Sequence, residues 1–403
     1  MLRTGFEELL LTMGESGLRR GVLLTGGSGY VGGLIAASLL MHDDVEIVAP
    51  VRGSTDLEKF LAPIRAEVEM SGAALDDGMA ARVHVVELPA FESLGDLDPI
   101  IAQYNVREIV HSAGCLDYFN AGALENVNVN FTRALVAQAE RWNAERFIYI
   151  STAFSSGYIF QQIPEALHGN PTKDPTDYTR TKRDAEAIVA GGGVPYLILR
   201  PSIIIGDSRD GHYSGKQYGL YQLWAGMERL LCREWHPEMH ALAPRQAVQL
   251  VHQDAFQNVF LTARRLVTED AIINVVSDQA TLPDLRMLWD LWLGACLRPR
   301  TVYYYERMAD IPIRDINGKQ RALLALASVN LQIASHPWRF DTARLDALRA
   351  IGMPFADATL DSVATCQGLF IRESKQINEF VAANQHSFAE RCEQIDVDLA
   401  VVS

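Results

Sequence analysis

From Gly21 onward, short runs of aliphatic and β-branched residues alternate with longer stretches whose apolar positions recur at helical spacing. That alternation is the pattern of βαβ units building a parallel sheet. Residues 22–25, 45–51, 82–87, 108–111, 146–151 and 196–200 predict six strands, with 272–276 as a later addition. Between them, residues 30–41, 55–70, 122–142 and 176–190 predict helices long enough to act as crossovers. The expected fold class is α/β, a doubly wound parallel sheet. Past Pro201 the alternation weakens: residues 206–245 are rich in aromatic, glycine and basic residues without a clear strand, and a second lobe is expected to begin there. Residues 249–266 read as a helix that, with the strand at 272–276, rejoins the first sheet.

Composition narrows the classes. With 403 residues and 48% apolar positions, a chain of this size buries roughly three quarters of its unfolded surface and needs no covalent staples. Thirty-six Lys and Arg against 50 Asp and Glu leave a net charge of −14, which repels nucleic acid and anionic lipid surfaces. The five cysteines, Cys115, Cys232, Cys296, Cys366 and Cys392, are far apart, with no C-x-x-C pair. They suit a reducing, cytoplasmic setting better than a disulfide framework, and no metal site is expected from them. The first 20 residues, with Glu7, Glu8 and Glu15, do not read as a signal peptide, and no stretch predicts a membrane span. The histidines at 236 and 240 stand four apart, but Pro237 interrupts any helix between them and no third ligand is near in sequence.

Directly after the first strand stands Thr25-Gly26-Gly27-Ser28-Gly29-Tyr30-Val31-Gly32, followed by a helix. Glycines at this position allow a tight turn, the approach of backbone N–H groups to a pyrophosphate and close helix–strand packing. The context predicts a dinucleotide cradle. The second strand ends in Val51-Arg52-Gly53-Ser54, with no carboxylate at 52–54 to accept from a ribose 2′-hydroxyl. Arg52 can clamp a 2′-phosphate and Ser54 can donate to it, so NADPH is expected over NADH.

Tyr178 and Lys182 stand at i and i+4 on a predicted helix, on one face. A phenol is a poor proton donor–acceptor near neutrality, and an adjacent ammonium favours its phenolate. The fifth strand ends in Ser151-Thr152-Ala153, at the carboxyl edge where open α/β sheets bind ligands. Thr152 is the candidate to hold a substrate carbonyl oxygen, and Ser151 competes with it.

On these residues the chain resembles the extended short-chain dehydrogenase/reductases, a Rossmann-fold family. The resemblance implies Thr152, Tyr178 and Lys182 as a catalytic triad assisted by Asn128, which lies in Asn128-Val129-Asn130-Phe131-Thr132, similar to the family's N-V-x-G-T segment. His111-Ser112-Ala113-Gly114 resembles the turn that runs along the nicotinamide ribose, and Glu186 matches a position of the family's helix. The stretch Arg200-Pro201-Ser202-Ile203-Ile204-Ile205-Gly206-Asp207-Ser208-Arg209-Asp210-Gly211 looks like the thioester reductase and fatty acyl-CoA reductase branch. Pro201, Ser202 and Ile203 are then expected at the coenzyme. Where relatives have G-D after the third strand, this chain has Glu87-Leu88-Pro89.

The resemblance implies hydride delivery from NADPH to an acyl thioester, on coenzyme A or a carrier protein, giving an aldehyde and a free thiol, with some relatives continuing to the alcohol. Together with the change of pattern past Pro201, this gives an expected nucleotide-binding domain at 21–205, rejoined by 249–277, an N-terminal extension at 1–20, and a substrate-binding lobe from 206–248 and 278–403. Tyr218, Tyr221 and Trp224 fall at i, i+3 and i+6 and read either as an apolar core stripe or as the wall of an acyl channel. Arg209 and Lys216 read either as surface residues or as partners of a phosphopantetheine phosphate. Two other readings remain: the same fold acting on a ketone or alcohol, and a coenzyme-binding sensor without catalysis.

Overall fold

A computed structural model describes residues 19–397 apart from 170, 172, 216 and 217. The expected extension at 1–20 lies almost wholly outside the described residues, as does Lys216. The chain divides into two compact units: 1–202 with 254–276 and 340–355, and 203–253 with 277–339 and 356–403.

The first unit is built on seven parallel strands: β1 (Arg20–Thr25), β2 (Val45–Val51), β3 (Val83–Glu87), β4 (Val106–His111), β5 (Arg146–Ile150), β6 (Tyr196–Pro201) and β7 (Ala271–Val275). Their order is β7-β6-β5-β4-β1-β2-β3. The winding reverses between β1 and β4, so their carboxyl ends form the crevice of a doubly wound sheet. Helix α1 (Tyr30–His42) is apolar almost all round, and its residues 32–40 are buried, as a helix pressed on a sheet and on other helices should be. Helix α2 (Leu57–Met70) is N-capped by Asp56, whose carboxylate accepts from the Lys59 N–H at 3.2 Å. The predicted helix at 122–142 is a composite: a short turn, a π-helical segment Glu125–Asn130, and α3 (Phe131–Arg141). Helix α4 (Asp177–Ala190) opens on a capping box made by Thr176 and Thr179.

The predicted helix at 249–266 is corrected at its start. Leu250–His252 is a short buried strand pairing in parallel with Ile203–Ile205, and helix α5 (Gln253–Leu266) begins only afterwards. In α5, Gln257 donates to the Leu34 carbonyl of α1 at 3.2 Å. Residues 340–355, which the sequence puts in the lobe, belong to the first unit. Glu165 accepts there from the backbone N–H groups of Asn274 (3.1 Å) and Arg344 (2.8 Å), tying α6 (Ala343–Ala350) to the edge strand β7.

The second unit contains the 203–205/250–252 pair and a three-stranded parallel sheet ordered Glu393–Asp396, Thr301–Tyr305, Glu238–Leu242. Residues 238–242, including His240, are therefore strand. Helices Leu220–Leu231, Leu285–Trp292, Gly318–Ala334 and Leu360–Glu373 contribute to one aromatic core.

Candidate active site

The glycine turn after β1 is sterically compulsory. Gly26 has φ of +75°, and a Cβ there would lie 2.5 Å from the Ala113 N. A Cβ on Gly32 would stand 2.1 Å from the Gly26 carbonyl oxygen, and one on Gly29 3.2 Å from it. The turn closes through Gly29 N–H to Gly26 O at 2.9 Å. Gly29 is also the N-cap of α1 and provides no side-chain cap, so the helix start keeps backbone donors for an anion. Ser28 and Gly29 are exposed and Thr25, Gly27 and Gly32 buried, while Tyr30 and Val31 lie between. A bare, close-approach turn at the switch point fits the pyrophosphate of a dinucleotide.

Around it, Arg52 and Ser54 are exposed beyond β2, and the Ser54 hydroxyl accepts from the Asp56 N–H at 3.3 Å. Ser112 leaves β4 with its N–H on the Thr25 carbonyl (3.1 Å), leading into Ala113 and Gly114. His111 is fully buried: Nδ1 lies 2.6 Å from Thr25 Oγ1 and Nε2 2.9 Å from Thr132 Oγ1. Thr132 Oγ1 donates to the Asn128 carbonyl at 2.7 Å, so it accepts from His111 Nε2–H, and Nδ1 accepts from Thr25. Burial, reinforced by the Lys182 charge, pulls the imidazole down to about 3. His111 is thus a neutral strut joining β1, β4 and α3. Pro201 and Ser202 close β6. The Ser202 hydroxyl is buried without a hydrogen-bond partner among the described residues. Ile203 starts the first strand of the second unit.

The π-helical segment turns Asn128 inward. Its Oδ1 accepts from the Cys115 N–H at 2.7 Å, while Nδ2 donates to the Cys115 carbonyl (3.3 Å) and to Thr181 Oγ1 (3.0 Å). Thr181 in turn donates to the Tyr178 carbonyl at 2.9 Å. Asn128 thereby joins the loop after β4 to the helix that carries Tyr178 and Lys182. Lys182 is buried, with Nζ donating to the Ile150 carbonyl at 2.6 Å and standing 4.1 Å from the Tyr149 ring centroid. Burial lowers it to about 7, partly opposed by Glu186. The half-buried Tyr178 packs 5.7 Å from the Tyr118 ring. Burial, then Tyr118, pushes its phenol above the ordinary value. The lowering expected from the ammonium is thus not what the phenol shows: desolvation governs it.

Thr152 caps a 3-10 turn, Ala153–Ser156, its Oγ1 accepting weakly from the Phe154 N–H at 3.4 Å. The competing Ser151 is engaged elsewhere: its hydroxyl donates to Glu186. Glu186 also accepts from Ser155 (2.9 Å) and from Arg200, through Nε to Oε1 (3.0 Å) and Nη2 to Oε2 (2.6 Å), with both ions fully buried. Sequence reasoning did not bring out this network. Its one signal is a charged Arg200 closing an otherwise apolar strand.

Of the substrate-side candidates, Tyr221 and Trp224 are brought together, edge to face with ring centroids 4.8 Å apart, while Tyr218 stays outside their core. Tyr221 and Trp224 are buried in the core of the second unit: the Tyr221 ring stacks on Tyr213 at 3.7 Å, its hydroxyl accepts from the Gly206 N–H (3.1 Å), and Trp224 stacks on Trp292 at 6.4 Å. Tyr218 precedes the helix, which begins at Leu220, and is exposed. Of the two readings of this stripe, core packing describes Tyr221 and Trp224. Arg209 binds the buried Asp207 through both carboxylate oxygens, at 2.9 and 2.6 Å.

Fold and glycine cradle together define a nicotinamide-dependent oxidoreductase of the extended short-chain dehydrogenase/reductase type. Residues 24–259 match the model of the NAD-binding family described as "Male sterility protein", and the chain belongs to that family. A curated relative, peramine synthetase ppzA of Metarhizium rileyi, is 29% identical over an alignment of 204 residues that covers 47% of this chain and 7% of that relative. The chain thus spans a small part of its length. Among solved structures, the terminal R domain of the myxalamid PKS-NRPS pathway is similar with a TM-score of 0.69 at 18% identity, covering 90% of this chain and 94% of that one. A thiolation-reductase di-domain from an archaeal non-ribosomal peptide synthetase gives 0.63 at 15% identity, covering 94% and 80%. These two likenesses concern the fold. Among the described residues no helix is long and apolar enough to cross a membrane.

Proposed function

We propose that the protein reduces an acyl thioester, carried by a carrier protein or coenzyme A, to the aldehyde, using NADPH. The observation that carries this reading is the linkage of Asn128, α4 and the end of β5 beside a glycine cradle with no room for a Cβ at Gly26 or Gly32. The family supports a nicotinamide coenzyme, and a carrier-bound substrate is suggested by the likeness to a thiolation-reductase di-domain of a non-ribosomal peptide synthetase.

Gly26, Gly29 and Gly32 would hold the pyrophosphate, Arg52 and Ser54 the 2′-phosphate, and Ser112 to Gly114 with Pro201 and Ser202 the nicotinamide end. When bound, the reduced ring supplies a hydride. Thr152 and Tyr178 hydrogen-bond the thioester carbonyl oxygen, and the phenol gives its proton to that oxygen as the carbonyl carbon becomes tetrahedral. The resulting thiohemiacetal collapses by breaking its C–S bond, releasing aldehyde and thiol. Lys182 lies one turn on from Tyr178 and, when protonated, favours the phenolate left behind. Asn128 holds the local backbone and lines the proton's route.

The test is turnover of a panel of acyl-CoA and acyl-carrier thioesters with NADPH, following free thiol and identifying products by mass spectrometry. Reduction of ketones with no thiol released would replace this reading by the alcohol dehydrogenase one. For the coenzyme, a charge-assisted contact worth about 1.5–3 kcal/mol predicts that Arg52→Ala raises the NADPH KM by about 10- to 100-fold, leaving NADH nearly unchanged. Equal effects on both coenzymes would withdraw Arg52 from the 2′-phosphate.

A further inference from the structure

Thr152 is bracketed. The residue before it, Ser151, and the residue three after it, Ser155, both donate their hydroxyls to one carboxylate oxygen of Glu186. The Ser155 carbonyl is also held, by Arg183 Nη1 at 3.1 Å, while Arg183 pairs with Asp174. Arg183 and Glu186 stand on α4, which also bears Tyr178 and Lys182, and Lys182 reaches the Ile150 carbonyl just ahead of Ser151. The helix carrying the proton donor therefore grips the chain on both sides of Thr152, through Lys182, Arg183 and Glu186. Glu186 is itself held by the Arg200 guanidinium from β6, which donates further to the carbonyls of Pro164 (3.2 Å) and Ala166 (2.9 Å). A fully buried ion pair is weak support for stability, since desolvation offsets its attraction. Its satisfied hydrogen bonds do fix geometry.

We infer that Glu186 is a positioning residue: by accepting from Ser151 and Ser155 it sets the Thr152 hydroxyl at a fixed height against the Tyr178 helix, with Arg200 as the anchor. The inference rests on the proposed role of Thr152 and Tyr178 in polarising a carbonyl. It gives the ion pair a task in the reaction beyond holding the fold, because a small misplacement of a polarising group costs far more rate than stability.

Glu186 has a second, separable effect. The groups facing the Lys182 ammonium are Glu186 on its own helix, His111 on β4 and Tyr149 on β5, and Glu186 is the carboxylate among them. Removing its charge lowers the affinity of Lys182 for its proton.

The deciding variant is Ser151→Ala/Ser155→Ala, which deletes both hydroxyl donors and leaves the Glu186–Arg200 pair intact. Per NADPH-binding site counted by titration, kcat should fall about 10- to 100-fold, with the NADPH Kd within about twofold of wild type and the alkaline limb of the pH–kcat profile unmoved. Glu186→Gln should lose kcat similarly and also move that limb to lower pH. Wild-type kcat per binding site in the double variant overturns the inference and leaves a purely structural ion pair, and this holds even if Glu186→Gln fails to fold. A wild type that reduces ketones but no thioester defeats the proposed substrate, yet the same kcat comparison on the ketone still decides the role of Glu186.

Discussion

The two units bury different things. At the carboxyl edge of the seven-stranded sheet, the first hides Thr25, His111, Asn128, Thr132, Ser151, Thr152, Lys182, Glu186 and Arg200. The interior of the second holds Tyr221, Trp224, Trp289 and Trp292 among aliphatic residues. Burying polar groups costs free energy unless each finds a partner, whereas stacked rings stabilise through area and contact. An edge loaded with hydroxyls and ions therefore marks where chemistry has been kept at some expense of stability, and a core of rings marks where stability is made.

That contrast yields its sharpest test as a pair of substitutions. Tyr178→Phe removes one oxygen from the polar edge and should lower kcat by about 10²- to 10⁴-fold, with melting temperature and NADPH Kd little changed. Trp224→Ala empties the aromatic core and should cost about 3–5 kcal/mol of stability, while the folded fraction keeps near wild-type kcat. Thermal melts and active-site-normalised rates read both. If folded Trp224→Ala loses turnover as severely as Tyr178→Phe, the division of labour between the units fails.

A smaller effect concerns the cost of the polar edge itself. Lys182 is buried and its proton affinity is lowered from 10.5 to about 7. Between those values the unfolded chain binds the proton and the folded chain releases it, so stability rises with pH in that window, by at most about 1.4 kcal/mol per pH unit. Below about pH 7 both states hold the proton and the dependence vanishes. Melts of the coenzyme-free protein from pH 7 to 10 should show this rise, and Lys182→Met should flatten it. A variant curve parallel to wild type would mean that Lys182 is not paying the expected desolvation cost.

The same contrast explains what was legible. The glycine turn and the Tyr178/Lys182 spacing are local, fixed by steric demands within one turn or by one helical period, so they can be read directly from the chain. Glu186 meets Arg200 only because β6 lies beside β5 in the folded sheet, and no short-range pattern announces that. The start of α5 was obscured because Leu250-Val251-His252 is apolar enough to continue a helical stripe, and its pairing with Ile203–Ile205 is a tertiary fact. The π-helical turn at Asn128 was hidden likewise, since a single π turn of six residues set inside a longer helical stretch is too short to alter the apolar pattern around it. In the second unit the spacing of Tyr221 and Trp224 correctly signalled a face, but spacing alone does not tell whether a face meets a core or a ligand.

Tyr218 separates those alternatives at the smallest scale. It lies two residues before the helix, is 44% exposed as a residue, and the Tyr221 N–H bonds its carbonyl at 3.1 Å, a contact that substitution of the side chain leaves in place. Tyr218→Ala should therefore shift stability by no more than about 0.5 kcal/mol. Of the three aromatic residues read from the sequence, Tyr218 is the one whose ring lies outside the core, so any part of the stripe that touches an acyl chain falls to it. Loss of an apolar contact of about 1 kcal/mol predicts a roughly fivefold higher KM for a medium-chain acyl thioester, with an acetyl thioester unaffected. Unchanged KM for both chain lengths would assign the whole stripe to packing, and acyl selection would then have to be sought among residues other than these three rings.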